Sequence, residues 1–163
     1  MRIMILASAL ALSACGSSDE VAITDKDGDE VGTYAMANGE TTARIRSEDG
    51  TVTAMRSGAQ VPVDLPSGFT VAPGLIVLNN TNVERGEGRY VMLTLEGEAP
   101  VADVVAFYRK QAEAAGVDVN VEVTTGDSAT IAGEGEGGLG FSLMASRSGD
   151  KTAVQLTLNQ GLD

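Results

Sequence analysis

The clearest order in this chain is a change of hydrophobic period and back again. From Tyr90 to Leu95 every second residue is apolar (Val91, Leu93, Leu95), and from Val117 to Val123 the same alternation returns with four valines. Between them Val101, Val104, Val105, Tyr108, Ala112 and Ala115 recur at helical spacing. Period two marks a strand with one buried face and period 3.6 an amphipathic helix, so strand, helix and strand are expected in that order. Pro100 suits the first helical turn and Gly116 the C-terminal cap. Asp103, Arg109, Lys110 and Glu113 fall on the wet side, with Phe107 beside the apolar stripe. The valine face of the second strand predicts a cover, which the helix would provide. Leu75 to Leu78 predicts a buried strand upstream. Ala129 to Ala132, Phe141 to Ser146 and Thr152 to Leu158 predict three more downstream, the last two joined by a hairpin at Arg147-Ser148-Gly149-Asp150.

Further upstream the pattern weakens. Asp27-Gly28, Asn38-Gly39 and Asp49-Gly50 are tight-turn dipeptides that favour positive φ. Between them lie Thr-, Val- and Ala-rich runs such as Val31 to Met36, Thr41 to Arg46 and Thr51 to Arg56. These predict a β-meander with a thin apolar face, the alternative being a disordered acidic spacer with too few large apolar residues to offset its ordering entropy. Gln60 to Gly74 carries Pro62, Pro66 and Pro73 and reads as a connector. The expected fold class is therefore α+β: an N-terminal β-meander followed by a two-layer domain, an antiparallel sheet with one packed helix. The expected division is 1–14 a cleaved signal, 15–20 a tether, 21–60 the meander or a partly disordered segment, and 61–163 the α+β domain.

The start of the chain follows different rules. Met1-Arg2 is basic, Ile3 to Leu12 is apolar, and Ser13-Ala14 are small, which are the three parts of an export signal. The apolar run is shorter than the roughly 20 residues a spanning helix needs. Leu12-Ser13-Ala14-Cys15 resembles the lipobox of bacterial lipoproteins. The resemblance implies that the Cys15 thiol is diacylated, the signal is cut just before it, and the new amine takes a further acyl chain such as palmitate. The other reading of Cys15 is a small residue in an ordinary signal peptide. Cys15 is the only cysteine of the 163-residue chain, so it has no disulfide partner within it. In the family an Asp directly after the cysteine favours the inner membrane; here Gly16 stands there, which implies an outer-membrane lipoprotein facing the periplasm. A second resemblance lies in the body. Leu65-Pro66-Ser67-Gly68-Phe69, Ala72-Pro73-Gly74, Val105 to Gln111 and Glu113-Ala114-Ala115-Gly116 resemble a group of small uncharacterised bacterial envelope lipoproteins, which implies no activity and no catalytic residues.

Composition changes the picture in two ways. The chain carries 11 Lys+Arg against 23 Asp+Glu, a formal net charge of −12; removing residues 1–14 takes away Arg2 and no acid, leaving −13. Such a chain is repelled by nucleic acid, which is excluded as a partner. It also has no His and no Trp, which removes Ser-His-Asp and Cys-His catalysis and His-containing zinc sites. No metal site and no cofactor is expected.

The remaining motifs are weak. Gly133-Glu134-Gly135-Glu136-Gly137-Gly138 spells a dinucleotide fingerprint, but two carboxylates stand in the loop and a strand follows. Asp25, Asp27 and Asp29 open like a calcium loop, yet Glu30 and Met36 occupy the positions where an EF-hand needs Gly and Glu. A solvated turn is the first reading and weak calcium association the second. Glu96 with Glu98, or Glu84 with Glu87, lack the aromatic platforms of a sugar cleft, and a non-enzyme is expected. Tyr90, Tyr108 and Phe107 read as core, or as a small ligand groove if the stripe is open. The sequence thus predicts a non-catalytic, lipid-anchored envelope protein with a structural or partner-binding role. Its partners would be the membrane, through the lipid on Cys15, and an envelope protein. The alternative is a periplasmic module that binds calcium or a small ligand through acidic loops.

Overall fold

A computed structural model describes residues 19–162. The signal, the lipobox with Cys15, and all of the expected tether except Asp19 and Glu20 lie outside the described residues. Those two residues open strand β1 (Asp19–Thr24).

After β1 come β2 (Glu30–Ala37), β3 (Glu40–Arg46), β4 (Val52–Gly58), β5 (Leu75–Arg85), β6 (Gly88–Gly97), α1 (Val101–Ala114), β7 (Val117–Thr125), β8 (Ser128–Gly135), β9 (Gly140–Ser148) and β10 (Lys151–Gln160). The strands form one antiparallel sheet in the order β1-β2-β3-β4-β5-β6-β10-β9-β8-β7. The chain walks from β1 to β6, crosses through α1 to the far edge, and meanders back until β10 closes on β6. Asn38-Gly39 make the β2–β3 turn with φ of 53° and 77°, the left-handed region that this dipeptide tolerates.

This sheet corrects the expected fold class. A meander followed by a separate two-layer domain would break between β4 and β5, but there Thr53 to Gly58 pair with Arg85 to Asn80. Leu75 to Leu78 predicts the start of a buried strand, and the residues after it carry no strand pattern of their own. In fact β5 continues through the polar run Asn79 to Arg85, whose Asn residues are poor strand formers on their own. That polar half is paired on both sides, by β4 and by β6, and the ladders hold it extended.

The core lies on one face only. Val91, Leu93 and Leu95 of β6, Val154, Leu156 and Leu158 of β10, and Phe141, Leu143 and Ala145 of β9 are buried there beneath α1 and the 59–74 connector. From α1, Val104, Tyr108 and Ala112 are buried at four-residue steps. The connector contributes Phe69, stacked on Phe141 at a centroid distance of 5.8 Å. It is pinned by Asn80, whose Nδ2 donates to the carbonyls of Val61 (3.3 Å) and Pro62 (2.8 Å). From Glu20 onward no residue of β1–β3 is buried, so the first strands form a single layer.

A bulge in β7 corrects a second expectation. Val119 pairs with Gly133 and Val121 with Ala132, leaving Asn120 as an extra residue. Beyond a bulge the alternation changes sides. Val117 and Val119 therefore face α1, whereas Val121 and Val123 face the opposite way and are 46% and 56% exposed. In their place Glu122 and Thr124, opposite buried Ile131 and Ala129, are turned toward the helix.

Candidate functional site

The bulge has a direct consequence for α1. Its C-terminal half meets apolar residues and seals the core, but its N-terminal half faces the polar end of β7 and cannot close against it. The result is a cleft of about 700 Å³. Pro100, Val101, Ala102, Val105 and Ala106 form its apolar helix wall, and Ala129 with the β7–β8 turn forms the other.

Two arginines border it. Arg109 Nη2 lies 2.8 Å from Glu122 Oε2, an ion pair bridging helix and strand with the glutamate side chain 59% exposed. Solvent screens such a pair, so it positions more than it stabilises. Arg147 is held differently. Its Nη1 donates to the Glu98 carbonyl and to Thr152 Oγ1, both at 3.3 Å, and its Nε donates to the Gly149 carbonyl at 3.2 Å. Thr152, fully buried, donates in turn to the Ala99 carbonyl at 2.6 Å. Arg147 is thus fixed by neutral acceptors and, among the described residues, has no carboxylate ion-pair partner. Its positive charge at the cleft stays uncompensated by a direct contact.

The residues singled out from sequence go elsewhere. Asp25 spends Oδ1 on its own turn, accepting the backbone N–H groups of Asp27 (2.9 Å) and Asp29 (3.0 Å), and Asp27 pairs with Lys26 at 2.5 Å. Among the described residues no three His, Cys, Asp or Glu side chains are grouped to hold a metal ion. Glu96 pairs with Lys151 at 2.6 Å, and that contact raises the Lys151 pKa above the usual lysine range. Glu98 borders the cleft, while Glu84 and Glu87 are exposed on the β5–β6 hairpin.

The aromatic trio separates. Tyr108 is wholly buried, packs edge-on against Phe107 at 5.2 Å, and accepts the Ala72 N–H at 3.2 Å. Burial raises its pKa, with the Ala72 contact opposing. Tyr90 lies on the far face, opposite Val83 and Asn159. The glycine motif follows the shape of the chain: Gly133 sits against the bulge, and Gly137 and Gly138 turn the chain with φ of 70° and 72° before β9. The segment holds only a three-residue 3-10 turn, Glu136–Gly138, and strand β9 follows it, so the motif does not lead into an α-helix that could receive a phosphate. Sequence reasoning missed the cleft because it took four valines as one face; the available signal was Gly133, a residue without a side chain opposite the middle of that run.

Residues 77–157 match a START domain-like family model. The match runs from β5 to β10, takes in α1, and includes every residue lining the cleft. It covers just under half of the chain and leaves β1–β4 outside. No curated protein and no solved structure matches the chain.

Proposed function

We propose that this protein is a non-catalytic, lipid-anchored component of the bacterial cell envelope, moored at the outer membrane through Cys15. Its α1 cleft binds a small molecule with an apolar body and an anionic end. One observation carries the ligand reading: the uncovered apolar wall of α1 ends beside a guanidinium fixed by neutral acceptors alone. A concave, largely apolar volume with a few fixed polar groups is the usual form of a small-ligand site, and about 700 Å³ lies within the ordinary range. The START domain-like match over the same strands and helix supports a ligand-binding reading of that half. The Leu12-Ser13-Ala14-Cys15 lipobox supports the anchor, and the lack of His supports a binding role over catalysis.

Binding of dodecanoate and of dodecanol by the purified protein tests the ligand reading. Val105→Trp fills the cleft from a half-buried position and is expected to abolish both while leaving the melting temperature nearly unchanged. Arg147→Gln is expected to weaken dodecanoate about tenfold, since a hydrogen bond to a charged group contributes about 1.5–3 kcal/mol, and to spare dodecanol. Equal binding by the wild type and both variants would contradict the assignment.

A further inference from the structure

We propose, on the basis of the ligand reading above, that the occupant of the α1 cleft carries an ammonium group beside its anionic end. Its head then meets Glu98 and Asp127 as well as Arg147, which narrows the ligand to amphiphiles with both charges on one head.

Five charged side chains line the cleft: Glu98, Glu122 and Asp127 against Arg109 and Arg147. Arg109 and Glu122 pair with each other at 2.8 Å and cancel. One guanidinium and two carboxylates are left, a formal charge of −1. Backbone contacts hold these three residues together. The Arg147 backbone N–H donates to the Asp127 carbonyl at 2.9 Å, and Arg147 Nη1 donates to the Glu98 carbonyl at 3.3 Å. Neither acidic side chain is used in this way. Among the described residues Glu98 and Asp127 have no ion-pair partner. Lys151 feels the charge of Glu98, but its direct contact is with Glu96 at 2.6 Å, and it does not line the cleft.

The signs select the ligand. An anion alone gains from the guanidinium and is opposed by two acids, while a cation alone gains from the acids and is opposed by the guanidinium. A head with both charges sets an opposite charge beside all three side chains. Room for it is sufficient. At about 30 Å³ per methylene, close to the share of a water in the liquid, a twelve-carbon chain takes about 360 Å³ of the 700 Å³ and leaves space for the head. Glu98, Asp127 and Arg147 are all exposed, so each such contact is worth a few-fold in affinity.

Dodecanoate, dodecylamine and 2-aminododecanoate share a twelve-carbon chain and differ in head charge, and calorimetry of the purified protein with each is the test. 2-Aminododecanoate is expected to bind about fivefold tighter than either of the others at low salt. That gain is expected to vanish near 1 M salt, where the Debye length falls to about 3 Å. Glu98→Gln combined with Asp127→Asn should erase the preference over dodecanoate, and Arg147→Gln the preference over dodecylamine. Dodecanol binding should stay as in the wild type in both, showing that the cleft is intact. Dodecylphosphoethanolamine separates the two sources of such a head: tighter binding than 2-aminododecanoate, with the same dependence on Glu98 and Asp127, assigns a phosphoethanolamine, and weaker binding an α-amino acid. Dodecanoate or dodecylamine binding as tightly as both two-charge heads, or a preference that survives loss of the two acids, would overturn the proposal. The ligand reading would then still stand if Val105→Trp abolished binding. No binding of any probe, dodecanol included, would overturn both.

Discussion

Replacing Leu93 with Ala is expected to cost about 3–4 kcal/mol of folding stability, within the range for deleting a fully buried leucine side chain. Leu93 is wholly buried at the middle of β6, opposite Leu156 of β10, which is also buried. It lies where the core is continuous from β6 to α1, so its neighbours cannot collapse into the space without leaving their own contacts. For a domain of this size the loss corresponds to a fall of roughly 10 °C in melting temperature. Urea unfolding of the two proteins measures it. Thr94→Ala, one residue along and on the other face, is the control and should change stability by no more than about 0.5 kcal/mol.

Gly133→Ala is expected to be comparably damaging for a different reason. A Cβ at Gly133 would sit 2.1 Å from the Asp118 carbonyl oxygen and 2.8 Å from the Val119 Cα. Both are backbone, so no side chain can swing aside, and β7 must move away from β8. Overpacking of this kind costs about 1–3 kcal/mol and more where backbone is displaced; about 3 kcal/mol is expected by urea unfolding. The second effect separates this from simple destabilisation. If β7 recovers by losing its bulge, Val121 and Val123 turn toward α1 in place of Glu122 and Thr124, the cleft closes, and dodecanoate binding falls with it. Gly137→Ala gives the contrast. Its Cβ meets nothing within 4 Å, so only the left-handed φ is penalised, at about 1 kcal/mol, and the cleft should keep its ligand.

The same two residues show how far the sequence could be read. Leu93 belongs to an alternating run whose meaning is local: period two, one buried face, a helix following. Elements of that kind, including α1 between Pro100 and Gly116, were legible because spacing alone specifies them. Gly133 belongs to the other kind. Its meaning depends on a bulge in another strand, and a bulge adds one residue without leaving a period of its own. The valines of β7 were therefore assigned to one face when they occupy two, and the cleft that follows from their division had no signature. The polar half of β5 failed in the same way, since Asn79 to Arg85 become a strand through the ladders on both sides of them. That is why one continuous sheet was divided in two.

The mass of the protein taken from cell envelopes, recorded first under native conditions and then denatured, is the measurement to make. The denatured chain is expected to begin at Cys15 and to carry acyl chains on its thiol and amine. The native spectrum should show in addition a small anionic amphiphile that leaves on unfolding and is missing from Val105→Trp. A free sulfhydryl, a start at another residue, or the same native and denatured mass in wild type would contradict a lipid-moored protein that carries a ligand under its helix.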